Sequence, residues 1–345
     1  MDSNKIGSAI SYLRKRAGYT QKDLADRIGI SDKTVSKWER GLGMPDVGYL
    51  RKLSILLDTD TDSLLAGDVV NHDPSWRGVL VLDDNEYGIG AGTLLYDKPL
   101  INYLLSYYLL VGIKDITVVC SEADSAFIYS AFSNGEEYGI KISTVTGGLK
   151  NAVHDEEDGN IMMVYGRCFL YGVDQTRFFQ KAMMDRRHFT MLVLPKKITH
   201  QDDGLAIDYN MKVINSNTEE PLRTQYDFTD IPILFFPAGI LKKMAEDTDI
   251  VSFIKKYSVE NQIYVQMLDR GFVDIEIDNE ENVREASTFI KIVQDKCGME
   301  VYCIEEVAWR RGMITMDQLR EHGERQRGTE YGEYILSLID RVEMY

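Results

Sequence analysis

TQKDLADRIGISDKTVSKWERG, residues 20–41, reads as two short helices joined by a tight turn. Thr20 stands three positions before Asp23, the spacing of an N-cap hydroxyl and a reciprocating acid, and opens a helix through Ile28. Gly29 supplies the positive φ that the turn needs. Ser31 caps the next helix, which runs through Arg40, and Gly41 ends it. Upstream, KIGSAISYLRKRA (5–17) puts Ile6, Ile10 and Leu13 on one helical face, and Gly18 stops that helix. Downstream, Leu50, Leu53, Leu56 and Leu57 pattern a fourth helix, and DTDSLLAG (60–67) reads as a capped fifth. Five short helices with a tight second-to-third turn make a helix-turn-helix unit.

The charge of the chain separates this segment from the rest. Over 345 residues the net charge is −16. Residues 1–67 contain 11 Lys and Arg against 9 Asp and Glu, a balance of +2, so the remainder carries −18. An acidic body repels phosphate backbones, and any contact with nucleic acid falls to the N-terminal segment. The length implies two domains at about 150 residues each. A composition 44% hydrophobic and 27% charged excludes a disordered chain. The longest apolar run, Tyr103 to Ile113, is broken by Ser106 and falls short of the ~20 residues of a membrane span. MDSNKIGSAI has no signal-peptide core, so the expected compartment is the cytoplasm. Four cysteines without a CxxC pair, and only five histidines, argue against a disulfide framework or a zinc site.

Residues 20–41 resemble the lambda-repressor-like (XRE-type) DNA-binding domain, and the likeness extends over about residues 4–67. Ala25, Gly29, Ile30, Val35 and the ending Trp38-Glu39-Arg40-Gly41 fall where that family has them. The resemblance implies that the second helix of the motif enters the major groove. Ser31, Asp32, Lys33, Thr34, Ser36 and Lys37 would then face DNA. Gln21 would contact the backbone or orient the reading helix, and Lys37 and Arg40 are candidate phosphate partners. One such unit has a small footprint, so a double-stranded operator calls for two of them, and a homodimer or homotetramer is expected.

AGDVVNHDPSW (66–76) reads as a linker, placing the boundaries at 1–67, 68–76 and 77–345. Beyond it, WRGVLVLDD, DITVVCS and IKISTVT read as buried strands alternating with the helices PLINYLLSYYLLVGI and ADSAFIYSAFSNGEEYG, the latter stopped by a glycine. IMMVYG, a helix at about Gln175–Arg186 and FTMLVLP follow. Shorter antiparallel-type strands are expected over Gly204–Phe236, and helices from Asn282 onward. The β-α-β-α-β order gives an α/β fold, an open and partly mixed sheet with C-terminal helices.

A second resemblance rests on longer stretches. YDKPLINYLLSYYLLVGIKDITVVCS (96–121), EYGIKIS (137–143), RGFVDIEIDNEENVREAS (270–287), CGMEVYCIEEVAWRRGMITMDQLRE (297–321) and YGEYI (331–335) are similar to glucose-1-phosphate thymidylyltransferases of the sugar-phosphate nucleotidyltransferase superfamily. The resemblance implies a Rossmann-like domain. It also implies chemistry in which a sugar 1-phosphate attacks the α-phosphorus of a nucleoside triphosphate and releases pyrophosphate. Anion attacks anion there, so Mg²⁺ and basic side chains are needed.

Four parts of that family's site can be located. The glycine-rich loop GGxGTRL corresponds to LDDNEYGIGAGTLLYDKP (82–99), shorter by roughly a dozen residues and lacking the basic groups that cradle a triphosphate. Asp83, Asp84 and Glu86 stand there instead, with Gly88, Gly90 and Gly92 retained. The metal-binding Asp of Gly-Asp-Asn becomes Arg167, in Gly166-Arg167-Cys168, and Arg has no lone pair for a metal. The Lys of Glu-Lys-Pro becomes Glu220. A second metal-binding Asp becomes Glu276. The family's base-contacting Gly-Leu-Ala-Gln-Ala survives as Gly148-Leu149-Lys150-Asn151-Ala152.

The expectation is therefore a DNA-binding transcription regulator with a catalytically inactive, metal-free nucleotidyltransferase-like domain and no catalytic residues. That domain would sense a nucleoside diphosphate sugar through Gly148, Leu149, Asn151, Arg167 and Glu276. Two alternatives stand beside it: a nucleotidyltransferase regulated by its fused domain, and a ligand-independent regulator using the large domain to oligomerise. The runs Asp155–Asp158 and Glu280-Glu281, and His154, His188 and His200, are read as solvated or unassigned.

Overall fold

A computed structural model describes residues 3–17, 19–57, 59, 61–67, 75–82, 88–153, 159–196, 206–207, 213–214, 227–247 and 250–343. Gly18, most of the linker, Asp83, Asp84, Glu86, His154, His200, the acidic run 155–158 and Glu220 lie outside these residues. The chain divides into two compact units, Met1–Asn71 with Glu305–Tyr345, and His72–Ile304.

The first unit opens with α1 (Ser3–Arg16), α2 (Gln21–Ile28), α3 (Asp32–Glu39), α4 (Val47–Leu56) and α5 (Thr61–Ala66). The local signals account for the ends. Thr20 and Asp23 form the full capping box, with Thr20 Oγ1 accepting from the Asp23 N–H at 3.1 Å. Gly29 adopts φ 84°, and Ser31 caps α3 by accepting from the Thr34 N–H. Ile6, Ile10, Leu13, Leu24, Val35, Trp38, Leu53, Leu57 and Leu64 fill one core. A Cβ at Gly7 would stand 2.1 Å from the Trp38 carbonyl, so the glycine allows α1 and α3 to touch.

The same unit holds α12 (Ile304–Arg310), α13 (Met316–Arg325) and α14 (Glu330–Glu343). Tyr331 and Tyr334 on α14 donate to Glu305 and Glu306 on α12 at 2.5 and 2.7 Å. Tyr12 on α1 donates its hydroxyl to the Arg311 carbonyl at 2.6 Å. Packing thus groups these helices with the N-terminal ones, whereas the sequence-based division keeps residues 77–345 together.

The second unit runs β1 (Trp76–Val81), β2 (Leu94–Leu95), β3 (Lys98–Pro99), α6 (Leu100–Leu110), β4 (Asp115–Val119), α7 (Glu122–Phe132), β5 (Lys141–Val145), β6 (Asn160–Tyr165), β7 (Cys168–Tyr171), α8 (Gln175–Met183) and β8 (Phe189–Lys196). It continues through β9 (Ala206–Ile207), β10 (Val213–Ile214), β11 (Asp227–Pro237), α9 (Gly239–Ala245), α10 (Ile250–Glu260), β12 (Ile263–Met267), β13 (Val273–Glu276) and α11 (Glu280–Cys297). Seven strands form one sheet in the order β12-β8-β11-β6-β1-β4-β5. β11 is antiparallel to β6 and β8, and the other pairings are parallel.

The apolar runs at β1, β6 and β8 are strands buried on both faces. Two details depart from the sequence reading. α7 ends at Phe132, with Ser133 at φ 51°, rather than at a glycine. The region expected to hold short strands contains β11, eleven residues long.

Candidate functional site

Two groups of side chains answer to the expected sites, one in each unit. On α3 and its caps, Ser31, Asp32, Lys33, Lys37 and Arg40 are exposed, and Thr34 and Ser36 are half-buried. Val35 and Trp38 turn inward, so the opposite face is presented to solvent. Ser31 is engaged locally: its Oγ lies 2.8 Å from Thr34 Oγ1 and accepts the Thr34 N–H at 3.2 Å. Asp32 accepts the Lys33 N–H at 2.8 Å. Arg40 donates Nε to the Ser36 carbonyl at 3.1 Å, which folds the guanidinium stem back along the helix.

Beneath this face lies a network that the sequence reading missed. Arg14 donates to both oxygens of Glu39, at 2.5 and 3.0 Å, and to the Tyr19 carbonyl at 2.6 Å. Gln21 Nε2 donates to Glu39 Oε2 at 2.8 Å. The Arg14 and Glu39 side chains are only 9% and 6% exposed. Burial opposes ionisation of Glu39, but the hydrogen bonds from Arg14 and Gln21 outweigh it and hold the carboxyl below its ordinary value. Gln21 is thereby fixed in orientation. It also lines an open groove of about 570 Å³ with Arg14, Lys15, Tyr19, Thr20, Lys22 and Asp32. Arg27 stacks over Tyr19 with its guanidinium carbon 4.7 Å from the ring centre.

In the second unit the expected residues gather at the carboxyl ends of the parallel strands, the edge where open α/β sheets bind ligands. Gly166 N–H donates to the Val81 carbonyl at 2.9 Å, which brings the end of β6 against the end of β1. Arg167 follows and is 8% exposed. The β7–β13 ladder then pairs Cys168 with Glu276, and Ile277 N–H donates to the Arg167 carbonyl at 2.7 Å. The positions of the two expected metal ligands are thus adjacent in one ladder. Cys168 donates its thiol to Asp274 Oδ1 at 3.0 Å; burial, then Asp274, push that thiol well above its ordinary value.

Gly148, Leu149 and Asn151 lie in the turn after β5. Gly147 and Gly148 adopt φ 83° and 93°, and Asn151 Nδ2 donates to the Thr146 carbonyl at 2.6 Å. One of its amide hydrogens therefore braces the loop. β5 is three places from β6 in the sheet, so the turn and Arg167 are roughly 14 Å apart at ~4.8 Å per strand. The sheet brings Arg167 and Glu276 together and leaves Gly148–Asn151 at a distance.

The glycine-rich segment has an internal explanation. A Cβ at Gly90 would meet Asp124 Oδ1 at 2.4 Å, and one at Gly92 would meet the Phe127 ring at 3.0 Å. Ala91 N–H donates to Asp124 Oδ1 at 2.6 Å. These glycines let the loop close on α7.

Arg167 is a donor only, so it offers a cation no ligand. Among the described residues no group of three or more His, Cys, Asp or Glu could hold a metal ion.

Comparison with known proteins places both units. A helix-turn-helix family model matches residues 10–64. Glucose-1-phosphate thymidylyltransferase of Neisseria meningitidis serogroup A is 28% identical over 262 residues, covering 72% of this chain and 91% of that protein. The Mycolicibacterium smegmatis protein of the same name is 28% identical over 264 residues, covering 72% and 90%. Residues 10–64 are an XRE-type helix-turn-helix domain, and the rest of the chain is a glucose-1-phosphate thymidylyltransferase-like domain.

The fold agrees. A Bacillus anthracis protein assigned as a glucose-1-phosphate thymidylyltransferase, solved with sucrose, superimposes with a TM-score of 0.50 at 10% identity. The match covers 62% of this chain and 94% of that one. The exposed face of α3 lies in the helix-turn-helix DNA-binding domain, and the Arg167–Glu276 ladder in the nucleotidyltransferase-like one. No helix among the described residues of either is long and apolar enough to cross a membrane.

Proposed function

We propose that the chain is a transcription regulator: residues 1–67 read a double-stranded operator, 68–76 link, and 77–345 sense a nucleoside diphosphate sugar without turning it over. The observation that carries this reading is Arg167. A buried guanidinium occupies the strand end where the related enzymes' pattern has a carboxylate. A guanidinium pairs bidentately with a diphosphate and needs no metal to do so. The turn at Gly148–Asn151, about 14 Å along the sheet edge, suits the base end of an extended ligand. Losing one transition-state group commonly costs ~100-fold in rate, and several are replaced in this chain. Homodimeric or homotetrameric assembly would set the spacing of two DNA-reading heads, and ligand binding would alter it.

Two measurements test the reading. Pyrophosphate release is expected to stay at background with any nucleoside triphosphate and sugar 1-phosphate, with or without Mg²⁺. Turnover would instead favour the enzyme reading, to which the names of the relatives lend weight. Calorimetric titration with nucleoside diphosphate sugars is expected to give binding that EDTA leaves unchanged. A strict Mg²⁺ requirement would overturn the role of Arg167, and no binding at all would favour the ligand-independent regulator.

The DNA-reading face makes its own prediction. Lys37→Ala with Arg40→Ala is expected to weaken binding to all sequences alike and to lower the slope of log affinity against log salt by about 2, near 0.9 per lost phosphate contact. Thr34→Ala or Lys33→Ala should instead relax preference at one base pair, by roughly 10- to 100-fold. Equal salt slopes for the double variant and the parent would remove Lys37 and Arg40 from the interface.

A further inference from the structure

Away from both sites, one cation and two carboxylates meet inside the thymidylyltransferase-like domain. Lys98, 3% exposed, donates to Asp97 Oδ2 at 2.7 Å, Glu300 Oε2 at 2.9 Å and Gln294 Oε1 at 3.3 Å. Its three N–H groups therefore have three acceptors. Gln294 on α11 donates in turn to Asp97 Oδ2 at 3.3 Å and accepts the Val301 N–H at 3.1 Å. Tyr103 on α6 donates toward the Leu95 carbonyl at 2.8 Å and Asp97 Oδ1 at 3.1 Å. Asp97 Oδ2 and Glu300 Oε2 thus converge on one ammonium, their side chains 23% and 13% exposed.

That convergence has a consequence in proton count. Two ionised carboxylates offer only acceptors, so they share a hydrogen bond beside Lys98 only when one of them holds a proton. Without it the cluster sets two negative charges against one positive around an ammonium that is 3% exposed. With it the cluster is neutral. We propose that Asp97 and Glu300, converging on the buried Lys98, form a proton-binding site that clamps the β2–β3 hairpin to the end of α11 when the proton is bound and slackens when it leaves.

The groups facing Glu300 are Asp97 and Lys98 from the hairpin and Tyr103 from α6, with neutral Gln294 from α11 and Tyr96 next to Tyr103. Burial, then its hydrogen bond to Asp97, push Glu300 up to about 7 against the pull of Lys98. Burial resists ionisation of Asp97, but the bond from Glu300 and the Lys98 charge keep it below its ordinary value. Tyr103 is held protonated by burial and by Asp97. Glu300 is thus the group that changes state near neutrality.

The sign follows from linkage. Between the ordinary 4.5 of an unfolded Glu and about 7, the folded chain holds a proton that the unfolded chain has lost. Stability contributed by this site therefore falls as pH rises through that window and levels off above it. The depressed Asp97 acts only at pH below its ordinary 3.8, outside the window.

Thermal unfolding of the full chain from pH 5.5 to 8.5 tests this with Glu300→Gln. A glutamine amide reproduces the protonated acid: its N–H can donate to Asp97 while its carbonyl still accepts from Lys98. The parent midpoint is expected to drop by several degrees across the window, over and above any histidine effect. The variant should lack that component and exceed the parent at pH 8. Parallel curves for the two proteins would overturn the proposal. Carboxyl carbon NMR of the parent provides a readout that survives a variant failing to fold. Glu300 should titrate with a proton affinity a few hundred-fold above that of an ordinary glutamate, and an ordinary value would sink the site.

Discussion

Arg14→Met is expected to destabilise the DNA-reading unit by about 3–5 kcal/mol, the cost of leaving one partner of a buried ion pair uncompensated. Glu39 is 6% exposed on its side chain and loses both Arg14 hydrogen bonds in this variant, keeping Gln21. α1 also loses its tie to the Tyr19 carbonyl, which leads into α2. Circular dichroism of the full chain should show the transition of this unit lowered by roughly 10–20 °C, at about 4 °C or more per kcal/mol for a unit of this size. Arg14→Met with Glu39→Leu should recover most of the loss, because it buries no lone charge. A single variant as stable as the parent would mean that the pair is solvated and the network idle.

The same network sets an acid limit. Glu39 has its carboxyl held below the ordinary 4.5, so its stabilisation is complete above that value and is lost as pH falls through the lowered one. The proton site at Glu300 works in the opposite sense and at higher pH. Acid unfolding of the N-terminal unit and neutral-pH softening of the C-terminal domain should therefore separate in a pH series. Gln21 ties the stability argument to DNA binding: its amide is aimed by Glu39, so a variant that frees it should also weaken operator affinity.

The legible parts of this fold were those decided by neighbours in sequence. Thr20, Asp23, Gly29 and Ser31 act within three or four residues, and each does in the structure what its spacing implies. Buried strands at β1, β6 and β8 announced themselves as apolar runs. Ser133 ends α7 at a positive φ that its residue type gives no reason to expect. Contacts between distant positions were not legible. Lys98 and Glu300 are 202 residues apart, and neither carries a signal that points to the other. Arg14 and Glu39 are 25 apart, and nothing near either in sequence pairs them. Gly90 and Gly92 stand in the segment that answers to the family's glycine-rich loop, and their missing side chains make room for Asp124 and Phe127. A glycine records that something comes close without recording what.

Arg167→Asp is expected to have the other large effect, and it bears on the proposed loss of catalysis. The substitution removes a buried cation at the head of β7 and adds a carboxylate next to the ladder that carries Asp274 and Glu276. Uncompensated negative charge in that position should cost about 3–5 kcal/mol, lowering the midpoint by roughly 10 °C in EDTA. Millimolar Mg²⁺ or Mn²⁺ should restore part of the loss, because the new carboxylate and Glu276 then offer oxygen ligands to a divalent cation. The parent chain should show no such dependence on divalent ions. Arg167→Met separates the two components, since it removes the cation without adding a ligand and should be destabilised equally with or without the metal. If the Asp variant behaves like the Met variant, the strand end is an ordinary buried position and Arg167 has not taken the place of a metal ion. If the divalent ion rescues only the Asp variant, a single residue separates a cation-binding sheet edge from one that supplies its own positive charge.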